Sequence, residues 1–184
     1  MDEQRLRQLL EKHHRESFGW ALCCCRRDRL RAEDVLQRAY LKVLAGKARF
    51  DDRGSFKTWL FAVIRTTARD ERRREVLRRV GFLRYAGEAR ETPAEQVAVE
   101  ALDREQLQAV FQKALEKLPG RQRQVLQLVF YHDMSLSEAA KAMAVSIGSA
   151  RTHYERGKKA LRERLDWKPD ELEPGRKSAP SIVW

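Results

Sequence analysis

The sequence predicts an all-α protein made of two small helical domains joined by a flexible linker. Three observations carry that prediction. Apolar residues recur at spacings of three and four along most of the 184 residues, without convincing strand-type alternation. The periodicity fails between Arg78 and Asp103, where Gly81, Gly87 and Thr92-Pro93 interrupt a stretch too poor in apolar residues to make a domain. The formal net charge of +11 is also split, with +7 over residues 1–75 and +5 over 119–168, against 0 over 76–118 and −1 over 169–184. Two basic blocks flanking a neutral middle fit two separate contacts with a polyanion better than one diffuse basic tail.

The elements follow in order. Leu6, Leu9 and Leu10 open a helical region that "ESFGWALCCCRR" continues with Phe18, Ala21, Leu22 and Cys25. In "RAEDVLQRAYLKVL", Val35, Leu36, Ala39, Tyr40 and Val43 share one face, leaving Asp34, Gln37, Arg38 and Lys42 opposite. Gly54-Ser55 marks a turn and an N-cap for a helix from Phe56 to about Glu75. Phe56, Leu60, Val63, Ile64 and Thr67 form its inward stripe. Arg65, Arg69, Arg72 and Arg73 line another side, on a helix that also carries Trp59 and Phe61. That face is either simply solvated or an aromatic-and-basic surface for nucleic acid.

The second domain is expected over 104–168. Leu107, Val110, Phe111, Ala114, Leu115 and Leu118 form one helix face, ended by Pro119-Gly120. "RQRQVLQLVFYHD" supplies another, with Val125, Leu126, Val129 and Phe130 inward. Ser135 and Glu138 then fit a capping box before a helix lined by Ala139, Ala140, Ala142 and Met143. The short turn "AVS" leads to a last helix capped by Ser146, with Ile147, Ala150 and Tyr154 inward. Two helices joined so tightly form a helix-turn-helix, whose second helix has an outer face free for a major groove. That face offers Ser149, Arg151, Thr152, Glu155 and Arg156, with Lys158 and Lys159 one turn on. Arginine can take guanine through two hydrogen bonds, threonine a thymine methyl, and glutamate a cytosine amine. The lysines suit phosphates, which set register without reading sequence. Ala144 occupies the turn position where glycine usually sits, and a left-handed alanine costs roughly 1–2 kcal/mol.

Other classes find little support. No apolar run approaches a membrane span, and the N-terminus lacks a signal-peptide core, so a cytoplasmic protein is expected. The three cysteines, Cys23, Cys24 and Cys25, are adjacent and cannot form a disulfide framework. Adjacent positions point in different directions around a helix, a poor start for a metal site even with His14 nearby. No metal or cofactor is expected. No nucleophile–base pair stands at a supporting spacing among Cys23–Cys25, His13 and His14, so no enzyme is expected either.

"AEDVLQRAYLKVL", "FDDRGSFKTWLFAVIRTTARDERRR" and the stretch from "LEKLPGRQRQVL" to "GKKALRERL" together resemble the extracytoplasmic-function sigma factors, compact specificity subunits of bacterial RNA polymerase. The resemblance covers roughly residues 5–75 and 104–165. It implies sigma domain 2 over 1–77, a linker over 78–103, sigma domain 4 over 104–168 and a tail over 169–184, the tail expected to be disordered. It further implies docking on the clamp of core polymerase through Asp34, Gln37 and Arg38. The −10 element would be opened and held by the helix bearing Trp59, Arg65, Thr66, Arg69, Arg72 and Arg73. Domain 4 would sit on the polymerase flap and read the −35 element of promoter DNA with the helix from Ser146 onward, and an anti-sigma factor is the expected regulator. Two positions depart from the pattern. Arg38 stands where the clamp helix often carries glutamate, and Thr66 where many members carry asparagine, which predicts an altered −10 preference. The rival reading is a free-standing helix-turn-helix regulator, which would bind paired half-sites as a dimer without polymerase.

Overall fold

Capping and turn chemistry divide the first 83 residues into four helices. A computed structural model of the chain describes residues 2–52, 54–83 and 111–165, and no strand occurs among them. The Asp2 side chain accepts from the Arg5 amide at 2.7 Å and starts α1 (Glu3–Lys12). A break at His13 separates it from α2 (His14–Cys24). Arg26 and Arg27, both left-handed at φ 55° and 62°, then reverse the chain. The Asp28 carboxylate caps α3 (Arg29–Leu44) by accepting from the Arg31 amide. After a loop comes α4 (Phe56–Leu83), which continues past the expected end near Glu75.

Burial follows the expected stripes and extends them. Val35, Leu36, Ala39 and Val43 of α3 meet Phe56, Leu60 and Ile64 of α4, and buried Thr67 continues that face. Trp20 of α2, unremarked in the periodicity, has no exposed surface. Its indole nitrogen donates to the Phe61 carbonyl at 2.9 Å, and its ring lies parallel to that of Phe61. The bond satisfies the one polar atom of a large buried side chain, which fixes α2 against α4.

The second body comprises α5 (residues 111–116), α6 (Gly120–Tyr131), α7 (Leu136–Ala142) and α8 (Ile147–Leu165). Val125, Leu126, Gln127 and Leu128 are all buried, so one full turn of α6 is enclosed on every side. This corrects the expected inward set. Leu128 is core, whereas Phe130 is 47% exposed and stacks at the rim on Tyr154. Ile147, at the start of α8, is also exposed, while Ala150 is fully buried. The capping box at Ser135 and Glu138 is present, and Ser135 holds the Glu138 carboxyl below its usual pKa. Ala144 is left-handed at φ 47°.

The two bodies share one core. Val125 and Leu128 of α6, Met134, and Ala139, Ala142 and Met143 around α7 pack in the same cluster as Trp20, Leu60 and Phe61. The small residues of α7 therefore admit α4 as well as α8. The stretch 84–103 of the expected linker, the start of the second domain with Leu107 and Val110, and the tail lie outside the described residues.

Candidate nucleic-acid interface

The helix-turn-helix geometry begins with its caps. The Ser146 hydroxyl accepts from the Ser149 amide at 3.1 Å and donates to the Ser149 hydroxyl at 2.9 Å, which fixes the first turn of α8. Opposite the buried Ala150, Gly157 and Leu161, the outer side of α8 presents Arg151, Thr152, Glu155, Arg156 and Lys159, all exposed. Thr152 donates back to the Gly148 carbonyl at 3.0 Å. Glu155 lies 3.3 Å from Lys158, whose ammonium also sits over the Tyr154 ring, so this lysine is held to the flank. Lys159 reaches only to Glu163, at 4.0 Å. His153, between the outer face of α8 and the core, has its pKa lowered by burial and by the Arg121 and Arg156 charges.

Sequence periodicity missed the inner support of this face. A Cβ on Gly157 would stand 3.0 Å from Leu126 Cδ1 and 3.3 Å from Gln122 Cβ. The glycine is what lets α8 lie close on α6, and its only sequence signal was a glycine inside a helical pattern.

On α4 the expected −10 residues divide by direction. Thr66, Arg69 and Arg73 recur at helical spacing on one exposed face, and neither arginine forms an ion pair among the described residues. Trp59 borders that face but is half-buried against Phe50 and Phe56, with ring centroids 5.4 and 5.3 Å away. It braces the loop before α4 through Phe50. Arg65 turns aside, half-buried, and donates to Gln124 Oε1 at 3.0 Å across the boundary between the bodies. Burial, with Arg69 and Arg121 nearby, draws its pKa down. Arg72 is exposed on the side of α4 that Arg65 occupies.

The expected docking residues stand on α3. Gln37 is exposed beside a shallow groove that Phe18, Leu30 and Tyr40 help to line. Arg38 donates to Asp34 at 3.0 Å and to Glu71 at 2.7 Å, while Arg74 also meets Glu71 at 2.8 Å. The reversed charge at this position is thus held between two carboxylates, and it ties α3 to α4. Arg31 makes a second tie, bidentate to Glu75 at 2.6 and 2.7 Å. The cysteines serve packing. Burial pushes Cys23 and Cys25 up to about 11 and Cys24 well above the ordinary thiol value. Among the described residues no group of three or more His, Cys, Asp or Glu could hold a metal ion.

Comparison with known proteins matches residues 9–78 to the family model for Sigma-70 region 2 and residues 108–161 to that for Sigma-70, region 4. The ECF RNA polymerase sigma factor SigF of Caulobacter vibrioides is 34% identical over 140 residues, covering 72% of this chain and 70% of that protein. The chain belongs to the ECF RNA polymerase sigma factors. A further relative, SigX of Bacillus subtilis, is 28% identical over 173 residues, covering 92% of this sigma factor and 88% of its own length. The fold is shared with the sigma factor RpoE in complex with the anti-sigma factor NepR from Bartonella quintana. That match has a TM-score of 0.66 at 23% identity, over 89% of this chain and 98% of that one. CnrH, solved with the cytosolic domain of CnrY, matches with a TM-score of 0.58 at 20% identity. Among the described residues no helix is long and apolar enough to cross a membrane.

Proposed function

We propose that this sigma factor brings core RNA polymerase to its promoters through two separate DNA contacts and performs no chemistry of its own. Its domain 4 reads the −35 element through Arg151, Thr152, Glu155 and Arg156, with Ser149, Lys158 and Lys159 on flanking phosphates. Its domain 2 holds the opened −10 strand on the face of Thr66, Arg69 and Arg73, with Arg72 beside them, Arg65 joining once the domains part and Trp59 at the edge. Strand separation is driven by tighter binding to opened DNA than to duplex. Asp34, Gln37 and Arg38 dock on the polymerase clamp, domain 4 docks on the flap, and an anti-sigma factor restrains the chain. These partners place it in the cytoplasm. The domain limits 1–77 and 104–168, the linker between them and the tail complete the plan.

The observation that carries the reading is the outer face of α8, a row of exposed hydrogen-bonding side chains on a helix that packs on its opposite side through Ala150, Gly157 and Leu161. Gel shifts on promoter duplex test it. The sigma reading predicts binding with core polymerase and little without it. Tight binding of the chain alone to paired half-sites refutes it.

A further inference from the structure

The contact between the two bodies is built around a histidine. His132 closes α6, is 5% exposed, and neither ring nitrogen has a hydrogen-bond partner. Its ring stands edge-on to Phe61 at 4.8 Å and to Trp20 at 6.3 Å, both residues of the first body. Gly19 of α2 packs beside it, and a Cβ there would stand at ordinary van der Waals distance, 3.9 Å, from the imidazole. Two charged groups face the ring, Lys57 from α4 and Glu16 from α2, and they pair with each other. Lys57 also donates to the His132 carbonyl at 3.0 Å. Around this centre Arg65 holds Gln124, and Arg27 holds Glu116 at 3.0 Å and Gln112 at 2.9 Å. A buried imidazole without partners is tolerated only when neutral.

We propose that the two domains of the free chain lock into a closed resting state around the neutral His132 ring, and that this state withholds the chain from promoters until the domains part. The second half rests on the promoter-recognition reading, and dimensions argue for it. Promoter elements centred about 25 base pairs apart lie about 85 Å apart along B-DNA. A globule of this size is roughly 40 Å across, so the closed chain cannot touch both elements. Fully extended, the stretch 84–103 would reach about 70 Å, which together with the breadth of the two domains is enough for the open form. Closure also occupies Arg65, one of the expected −10 contacts.

Parting the domains removes Trp20 and Phe61 from the ring and returns it to water. Burial first, then Lys57, lowers the closed-state pKa to about 4 from an ordinary 6.5. Protonation therefore favours opening, and the closed-to-open ratio should fall about thirty-fold between pH 7.5 and pH 5.

Small-angle X-ray scattering of the full chain at both pH values tests the latch. The wild-type chain should be compact at pH 7.5 and expanded at pH 5. His132→Phe should stay compact at both, and His132→Lys should be expanded at both. Phe61→Asp, which charges the facing surface, should match His132→Lys, with helicity by circular dichroism establishing that each variant is folded. Scattering independent of pH and of residue 132, or loss of helicity in both charged variants, overturns the latch. Transcription with limiting chain should rise several-fold for His132→Lys and fall for His132→Phe. Altered scattering with unaltered transcription overturns the withholding role alone, whereas a wild-type chain that supports no transcription overturns the promoter reading itself.

Discussion

Ala144 stores strain at the turn of the helix-turn-helix, and replacing it with glycine should release that strain. The residue is exposed and left-handed at φ 47°, so its methyl group gains nothing from packing. Two turn bonds hold the backbone there: the Ala144 amide donates to the Lys141 carbonyl, and the Val145 amide to that of Ala140, both at 3.0 Å. Neither involves the methyl. A left-handed L-residue costs roughly 1–2 kcal/mol. Glycine removes that cost but adds about 0.5–1 kcal/mol of unfolded-chain entropy. Ala144→Gly should therefore stabilise the chain by about 0.5–1 kcal/mol, a rise in Tm of roughly 1–4 °C at this chain length. Ala144→Val should move Tm in the opposite direction, because a branched side chain crowds the same carbonyl. Thermal unfolding followed by circular dichroism reads both. Equal or lower Tm for the glycine variant would refute the strain argument.

The other predictions concern binding and pH. Arg151→Ala should cost about 1–3 kcal/mol on the preferred −35 sequence and relax specificity at one position. Equal weakening on every sequence would make Arg151 a phosphate contact. Changing Arg69 and Arg73 together to Ala should slow open-complex formation and reduce the salt slope of promoter binding by about two. Transcription unchanged at all salt concentrations would make that face merely solvated. Because the folded pKa of His132 is depressed to about 4, its stabilising contribution is complete above pH 6.5 and is lost as pH falls through that window. The loss should total about 3 kcal/mol and be absent from His132→Phe in urea titrations between pH 7.5 and 4. Trp20→Ala should cost about 3–5 kcal/mol, since it empties a fully buried site shared by both bodies.

Much of the architecture was legible because helical periodicity and caps are local. The stripe of α3, the Ser135–Glu138 box and the outer face of α8 need only residues a turn or two apart. What stayed hidden depends on contacts between distant segments. Trp20 sits between Gly19 and Ala21 in a run whose spacing reads equally well without it, and its partner Phe61 lies 41 residues away. His132 reads in sequence as one more residue near the end of the helical stretch "RQRQVLQLVFYHD". Its significance comes from Trp20 and Phe61 closing over it. Arg65 belongs by composition to a basic DNA face, yet a single helical step turns it toward Gln124, 59 residues on. Ile147 and Phe130 show the converse, apolar residues in phase with a core that ends before reaching them. Arg38 looked like a charge offered to polymerase, and the structure first spends it on Asp34 and Glu71.

The most direct measurement is co-purification of the chain with bacterial core polymerase, followed by DNase footprinting of the complex on a promoter library. Protection at both −10 and −35, lost at −35 in Arg151→Ala and absent without core, is the predicted result. A chain that fails to join core polymerase, or that protects symmetric half-sites by itself, would contradict the account.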